Sequence, residues 1–365
     1  MKMLIAGAGP AGLYLAYLVK RQLPHWQVTV VEQNARDSTF GFGVVFSERA
    51  LEFLRADDPE TYDRITPAME AWTDITVVLR GTPVVIDGIG FSAIGRLKFL
   101  QLLCGQLEAA GVSPLFNRAF PQGENLKEFD LVVAADGANS VVRKTADFGT
   151  TVAPLSNKFA WFGTTRVFGT LTQTFVQNDA GYFNAHHYRH SPEMSTFVFE
   201  CDAQTWLRAG FSCMNEDATL QYCENVFADT LGGHRLVSNK SVWRNFPNVR
   251  NSRWHAGNVV LIGDALRTAH FSIGSGTRLA MEDAIALARA LRENPLPEAL
   301  AAFEAARRPI VDKLVAAADA SGNWYDRFPG HMRLAPREFA WSYIQRSGRI
   351  DPDRLRKISP KFVDG

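Results

Sequence analysis

Cysteine is scarce in this chain. There are four, Cys104, Cys201, Cys213 and Cys223, with no CxxC pair and no Cys/His spacing suited to a metal. A disulfide scaffold and a structural zinc site are therefore not expected, and no metal ligands are assigned; reduced, mostly buried thiols are the expectation. An excess of charge of one sign is also missing. Lys and Arg total 39 against 38 Asp and Glu, a net charge of +1. Nothing in that balance points to nucleic acid or to an acidic solvating arm. No stretch reaches the ~18 uninterrupted apolar residues of a membrane span. The apolar start after Lys2 resembles a signal peptide, but Gly7, Gly9 and Gly12 interrupt it. A cytoplasmic protein without membrane or nucleic-acid partners is expected.

What is present is a large apolar reserve. The 365 residues are 46% hydrophobic and 21% charged, enough for one large domain or two packed closely together. Internal repeats and low-complexity linkers are lacking, which favours discontinuous domains around a shared core. The pattern predicts a strand at 3–6, a helix at 10–23 and a strand at 28–31, a βαβ opening of about 30 residues. Helices are expected at 48–57, 96–110, 217–229, 276–291, 300–318 and 336–345, and a hairpin around Gly81. In the helix at 96–110, Leu97, Leu100, Leu103 and Leu107 should share one face. Residues 156–248 alternate aromatic, β-branched and polar side chains, the signature of a mostly antiparallel sheet.

The first strand runs into Gly7-Ala8-Gly9-Pro10-Ala11-Gly12. Gly7 permits the tight turn, Gly9 lets backbone approach a pyrophosphate, and Gly12 lets the helix close on the sheet. The helix start then turns its positive end to the phosphates. Glu32, at the end of the second strand, can accept hydrogen bonds from ribose hydroxyls. Dinucleotide binding follows, with a glycine-rich turn of another α/β fold as the competing reading. FAD and NAD are not distinguished by this motif.

Two later stretches distinguish them by resemblance. Asp136-Gly137, with Ser140 and Arg143, resembles the second fingerprint of the group A FAD-dependent aromatic hydroxylases, those related to p-hydroxybenzoate hydroxylase. Gly263-Asp264, Gly274 and Gly276-Thr277, with Asp283 beyond, resemble their third. In that family the aspartate holds the FAD ribose, and an arginine near the phosphates corresponds to Arg96. The chain departs from the family at Arg267, where His is frequent, at His270-Phe271, where two prolines are frequent, and at Arg278, where Asn is frequent. One branch shares these departures. The stretch 263–284 and motifs along nearly the whole chain, such as Gly41-Phe42-Gly43 and Trp161-Phe162-Gly163, are similar to salicylyl-CoA 5-hydroxylases and to the flavin half of 2-aminobenzoyl-CoA monooxygenase/reductase. They are also similar to the violacein-pathway indole hydroxylase.

The resemblance implies an α/β fold: a Rossmann-like FAD-binding domain from 1–155 and 249–325, including small substrate-side insertions near 40–95. It implies an inserted, mostly antiparallel substrate sheet at 156–248 and a C-terminal helical tail at 326–365. It implies NADH or NADPH and O2 as co-substrates, and ring hydroxylation through a flavin C4a-hydroperoxide. The substrate would be a small aromatic, in first place an aryl-CoA thioester, in second an indole or other secondary-metabolite ring. A flavin-holding module without hydroxylation and a plain dehydrogenase are the remaining readings. His270, His186 and Tyr188 are the candidates for ring contact and proton handling, since imidazole titrates near neutral pH. His187 should point to the opposite face from His186. Trp161, Phe183 and Phe271 are candidates for the pocket wall, against ordinary core packing. Thioester phosphates would need cations, for which Arg166, Arg189, Arg244, Arg250 and Arg253 are available.

Overall fold

The computed structural model describes residues 1–120 and 123–365. The strand Lys2–Ala6 lies inside a five-stranded sheet, parallel to Gln27–Val31 on one side and to Leu131–Ala134 on the other. Val259–Leu261 adds in parallel, and His255–Ala256 closes the edge antiparallel. Parallel strands need cover on both faces, and the runs 3–6 and 131–134 are buried throughout. The helix Pro10–Gln22 supplies cover, with Leu13, Leu15, Ala16 and Leu18 buried as expected, and it packs on the helices Arg96–Ala109 and Gly276–Glu293. In Arg96–Ala109 the buried face is turned from the expected one. Phe99, Leu103, Cys104 and Leu107 are buried, while Leu97 and Leu100 are half-buried. Leu100 lines a small pocket while still packing against the edge of the core.

The second sheet has eight strands. Thr150–Thr164 pairs with Ser195–Cys201, Leu236–Ser238 and Arg244–Asn251, and the order continues through Gly181–Arg189 and Leu171–Asn178. These pairings are antiparallel. Leu171–Asn178 then takes Ile75–Leu79 in parallel, and Thr82–Ile86 completes a hairpin at Gly81, φ +81°. The sheet therefore draws strands from outside 156–248. One face carries Phe183, Phe197 and Phe199 against Phe211 and Phe227. The other carries Phe175 and Tyr188 against the tail, where Trp324, Phe328, Phe339 and Tyr343 pack. A three-stranded sheet, Gly43–Ser47, Phe91–Gly95 and Glu70–Trp72, completes the set.

The long helix is longer than the sequence suggests. It spans Leu296–Asp326, 31 residues, and runs through Pro309. Proline removes one hydrogen bond, but apolar packing continues on both sides of it, from Leu300 and Phe303 to Leu314 and Ala318. The helix predicted at 217–229 is found in two parts, Glu216–Val226 and Ala228–Leu231. The four cysteines are free thiols; Cys213 is exposed and the others are buried. Among the described residues no helix is long and apolar enough to cross a membrane.

Candidate active site

Two pockets meet at Arg96. The smaller, about 110 Å³, lies against Ala8, Gly9, Glu32, Asn34 and Phe116. The larger, about 660 Å³, is lined by Val44, Val45, Asp264 and the run Gly274–Arg278, and by aromatic residues of the large sheet. Arg96 lines both.

The first motif is shaped by contact. Gly7 has φ +102°, and a Cβ there would lie 2.3 Å from the Ala135 carbonyl oxygen. At Gly12 a Cβ would lie 2.0 Å from the Gly7 oxygen. Gly9 has nothing within 4 Å of such a position, so the turn is open where backbone must meet a ligand. Glu32 is anchored to this turn, accepting from Ala8 N–H at 3.0 Å and Asn34 N–H at 2.8 Å. Pro10 and Ala11 begin the helix. Among the described residues no side chain caps its N-terminus, and its first turn carries no acid. The helix Gly276–Glu293 is also uncapped and without an acid in its first turn. Both ends leave backbone N–H groups and positive dipole ends unpaired.

Asp136 and Gly137 line neither pocket. Asp136 Oδ2 accepts from Val141 N–H (2.7 Å) and Val142 N–H (3.2 Å), while Oδ1 is buried without a partner among the described residues. Arg143 donates to Ala265 O (2.8 Å) and Ala138 O (2.7 Å), tying the second motif to the third. In the third motif Gly263 donates its N–H to Asp283, and a Cβ at Gly263 would meet the Ala11 methyl at 3.1 Å. Asp264 is solvent-exposed through the cavity that it lines, although protein crowds around it. Enclosure raises its pKa; Arg267 and Arg96 oppose the rise and Asp283 adds to it. Gly276 and Thr277 line the cavity beside it. An open glycine turn, two uncapped helix ends, a carboxylate at each end of the groove and an arginine at the junction fit a long dinucleotide with a central diphosphate.

The substrate candidates separate by strand parity. His186 and Tyr188 line the cavity; Phe183 does not. Phe183 is an odd number of residues away from both that alternate, so its ring lies on the opposite face, 5.5 Å from Phe199 and 6.2 Å from Tyr222. The expected role of Phe183 in the pocket wall is corrected accordingly. His187 lies on that face too, stacked on Phe197 at 5.3 Å, and burial takes its pKa down to about 3. Trp161 and Phe271 line the cavity, joined by Phe159 and Phe246.

His270 does not line the cavity. Its Nδ1 meets Ser272 Oγ at 2.7 Å, and its ring packs on Phe246 and Phe271 under the long helix, whose Gly322 leaves the space. Burial lowers its pKa to about 4. Tyr188 is tied down, donating its hydroxyl to Gly43 O at 3.0 Å. Burial pushes that phenol up.

His186 has a partner that the sequence reading passes over. Its Nε2 lies 3.0 Å from Glu200 Oε2, and Asn157 Nδ2 donates to Glu200 Oε1 at 2.8 Å. Glu200 is 1% exposed and burial raises its pKa. His186 is held well below its usual value by burial, with Arg346 adding. The signal for Glu200 is one acid in the strand Ser195–Cys201, at the same parity as the cavity-lining Val198. Gln173 and Arg346 also line the cavity and were not anticipated.

The chain belongs to the FAD binding domain family, which matches residues 109–318. It is an FAD-dependent aromatic monooxygenase, with the fold of the group A hydroxylases. It is 42% identical to a salicyloyl-CoA 5-hydroxylase of Streptomyces sp, over its whole length and 73% of that protein. It is 35% identical to the protodeoxyviolaceinate monooxygenase of Chromobacterium violaceum, over 96% of both chains. Among solved structures, the tetrameric form of 2-methyl-3-hydroxypyridine-5-carboxylic acid oxygenase superposes with a TM-score of 0.73 at 18% identity, over 98% of this chain and 95% of that one.

Proposed function

We propose that the chain hydroxylates the aromatic ring of an aryl-CoA thioester, using NADH or NADPH as reductant and O2 as oxidant. One observation carries this reading. A single cavity joins Asp264 and the run Gly274–Thr277 to an aromatic wall of Trp161, Phe246 and Phe271, with His186 in the same lining. In this reading Gly9, Glu32, Arg96, Asp264 and Gly274–Thr277 hold FAD, which when bound supplies the two-electron and oxygen chemistry that side chains lack. The protein's own part is binding, orientation and exclusion of water. His186 stays neutral, with Nε2–H donated to Glu200. Nδ1, without a hydrogen-bond partner among the described residues, is then an acceptor for a ring hydroxyl or amino proton. Glu200 positions the ring and fixes this tautomer. The likeness to salicyloyl-CoA 5-hydroxylase supports the thioester.

A second reading, an indole-type ring as substrate, is favoured by the end-to-end match with protodeoxyviolaceinate monooxygenase. The test is NADH and NADPH oxidation by the FAD-loaded protein against salicylyl-CoA, aminobenzoyl-CoA, the free acids and indoles, with product mass and hydrogen peroxide recorded. A product one oxygen heavier from thioesters alone supports the first reading. Turnover confined to an indole or free ring replaces it with the second.

A further inference from the structure

The charge around the cavity is lopsided. Among the described lining residues are five arginines against two carboxylates, Glu52 and Asp264. Arg96 belongs to the groove, and Arg278 is paired with Glu282 at 2.8 Å. Arg346 is tied down: it donates to Tyr343 O and Ser272 O, both at 2.8 Å, with its guanidinium 3.9 Å over the Tyr343 ring. Arg349 and Arg354 line the outer part, where Arg349 is exposed and Arg354 half-buried. Ile89, Ile350 and Ile358 line the cavity beside them, while Arg354 donates its backbone N–H to Asp351 Oδ1 at 2.8 Å and its Nη1 to Arg349 O at 3.2 Å. The stretch 346–361 holds six Lys or Arg and two Asp, in a chain whose total charge is +1. The arginines of the middle region are elsewhere. Arg189 pairs with Glu70, Arg250 with Asp319 and Arg253 with Asp147, and none of these lines the cavity.

This mouth is built, not loosely draped. Asp87 O accepts from the Ser359 hydroxyl, and Asp87 Oδ1 accepts from Phe362 N–H at 2.9 Å. Gly88, φ +70°, lies so close that a Cβ there would sit 1.8 Å from Ile358 O. The tail helix Pro352–Ile358 is thereby fixed against the turn at 87–90.

We propose that Arg349 and Arg354 form a phosphate-binding rim at the cavity mouth, holding the nucleotide diphosphate of a thioester-linked substrate while the isoleucines accept its uncharged arm. This rests on the aryl-CoA reading and names the part of the chain that would recognise the carrier. Guanidinium suits phosphate because its N–H pairs match two oxygens at once. A diphosphate could also come from the nicotinamide co-substrate, so the test carries an arm for each.

The experiment compares kcat/KM for salicylyl-CoA and for salicylyl-pantetheine, which lacks the phosphates, in the FAD-loaded wild type and in Arg349→Gln, Arg354→Gln and the double variant. Within one variant the ratio cancels any loss of folded protein. The ratio of CoA to pantetheine thioester should fall on the order of tenfold per arginine, the scale of one charge-assisted hydrogen bond. Arg354→Lys should recover part of it, as a point charge without the fork. An unchanged ratio, with the wild type active on the CoA thioester, overturns the rim and leaves the aryl-CoA reading standing. A rise in KM for NADH or NADPH with an unchanged thioester ratio overturns it in favour of the co-substrate. A wild type inactive on every thioester but active on an indole overturns both.

Discussion

Arg267 and Asp283 face each other in buried space behind the groove, with Nη1 2.6 Å from Oδ2 and Nη2 2.9 Å from Oδ1. The same carboxylate accepts from Gly263 N–H and lies 3.3 Å from Arg307. Arg267 stands where the wider family often has His, and this pairing gives the departure a structural place. Removing one partner strands a buried charge. Asp283→Leu should cost about 3–5 kcal/mol of stability. Urea denaturation checks this, and an unchanged midpoint would contradict it.

Asp264 faces the cavity with Arg96 and Arg267 near enough to shift its titration. Asp264→Ala should weaken FAD binding about tenfold or more, the scale of a lost charge-assisted hydrogen bond. Circular dichroism should be unchanged while the flavin absorbance of the purified protein falls. Full flavin occupancy would remove Asp264 from the cofactor site.

The buried pair of His186 and Glu200 leads to a coupling prediction. His186→Gln should lower product formed per NADH or NADPH consumed several-fold, with FAD content intact. Glu200→Gln should act in the same direction by loosening the imidazole. His270→Ala, behind the wall, should change thermal stability before it changes coupling. A reversed ranking of His186 and His270 would show that the cavity lining misassigns them.

Strand parity can be tested directly. Phe183→Leu should destabilise by about 1–2 kcal/mol through lost core packing while leaving KM for the aromatic substrate within about twofold. Trp161→Leu, on the cavity side, should raise that KM. An effect of Phe183→Leu on KM larger than that of Trp161→Leu would place the wrong face toward substrate.

Four buried histidines give a pH dependence, and burial holds one of them, His186, well below its ordinary value. Burial lowers His187 to about 3, and His190 and His270 to about 4. Their unfolded-state pKa lies near 6.5, so below that pH the unfolded chain takes up protons first. Their contribution is complete above pH 6.5 and is lost as pH falls through 4, at about 1.4 kcal/mol per pH unit for each. Thermal melts of the apoprotein between pH 7 and 5 should show a steep loss. His187→Gln should flatten the slope, and an identical slope would sink the assignment.

The local chemistry of this protein was legible in one dimension. Gly7 and Gly12 follow from a turn that admits no Cβ, Gly9 from the open approach it leaves, and Glu32 from its place at the end of the second strand. The Ile75–Leu79 hairpin and the alternating strands follow from side-chain period. Cofactor class and family came from three motifs in order, because their residues and their spacing are properties of the chain. The cavity was not legible, because it is made where segments far apart in sequence meet. Glu200 reads as an odd acid in an apolar strand until antiparallel pairing brings that strand beside His186. Phe183 and His270 read as pocket residues until parity turns one away and the packing of the long helix at Gly322 buries the other. The arginines of the tail reach the cavity mouth only because Asp87 and Gly88 fix the last helices there. The sequence determined the periodicities, turns and nucleotide chemistry, which depend on neighbours within a few residues. Tertiary structure decided which side chains share the cavity, because that depends on sheet order, register and packing over separations of more than a hundred residues.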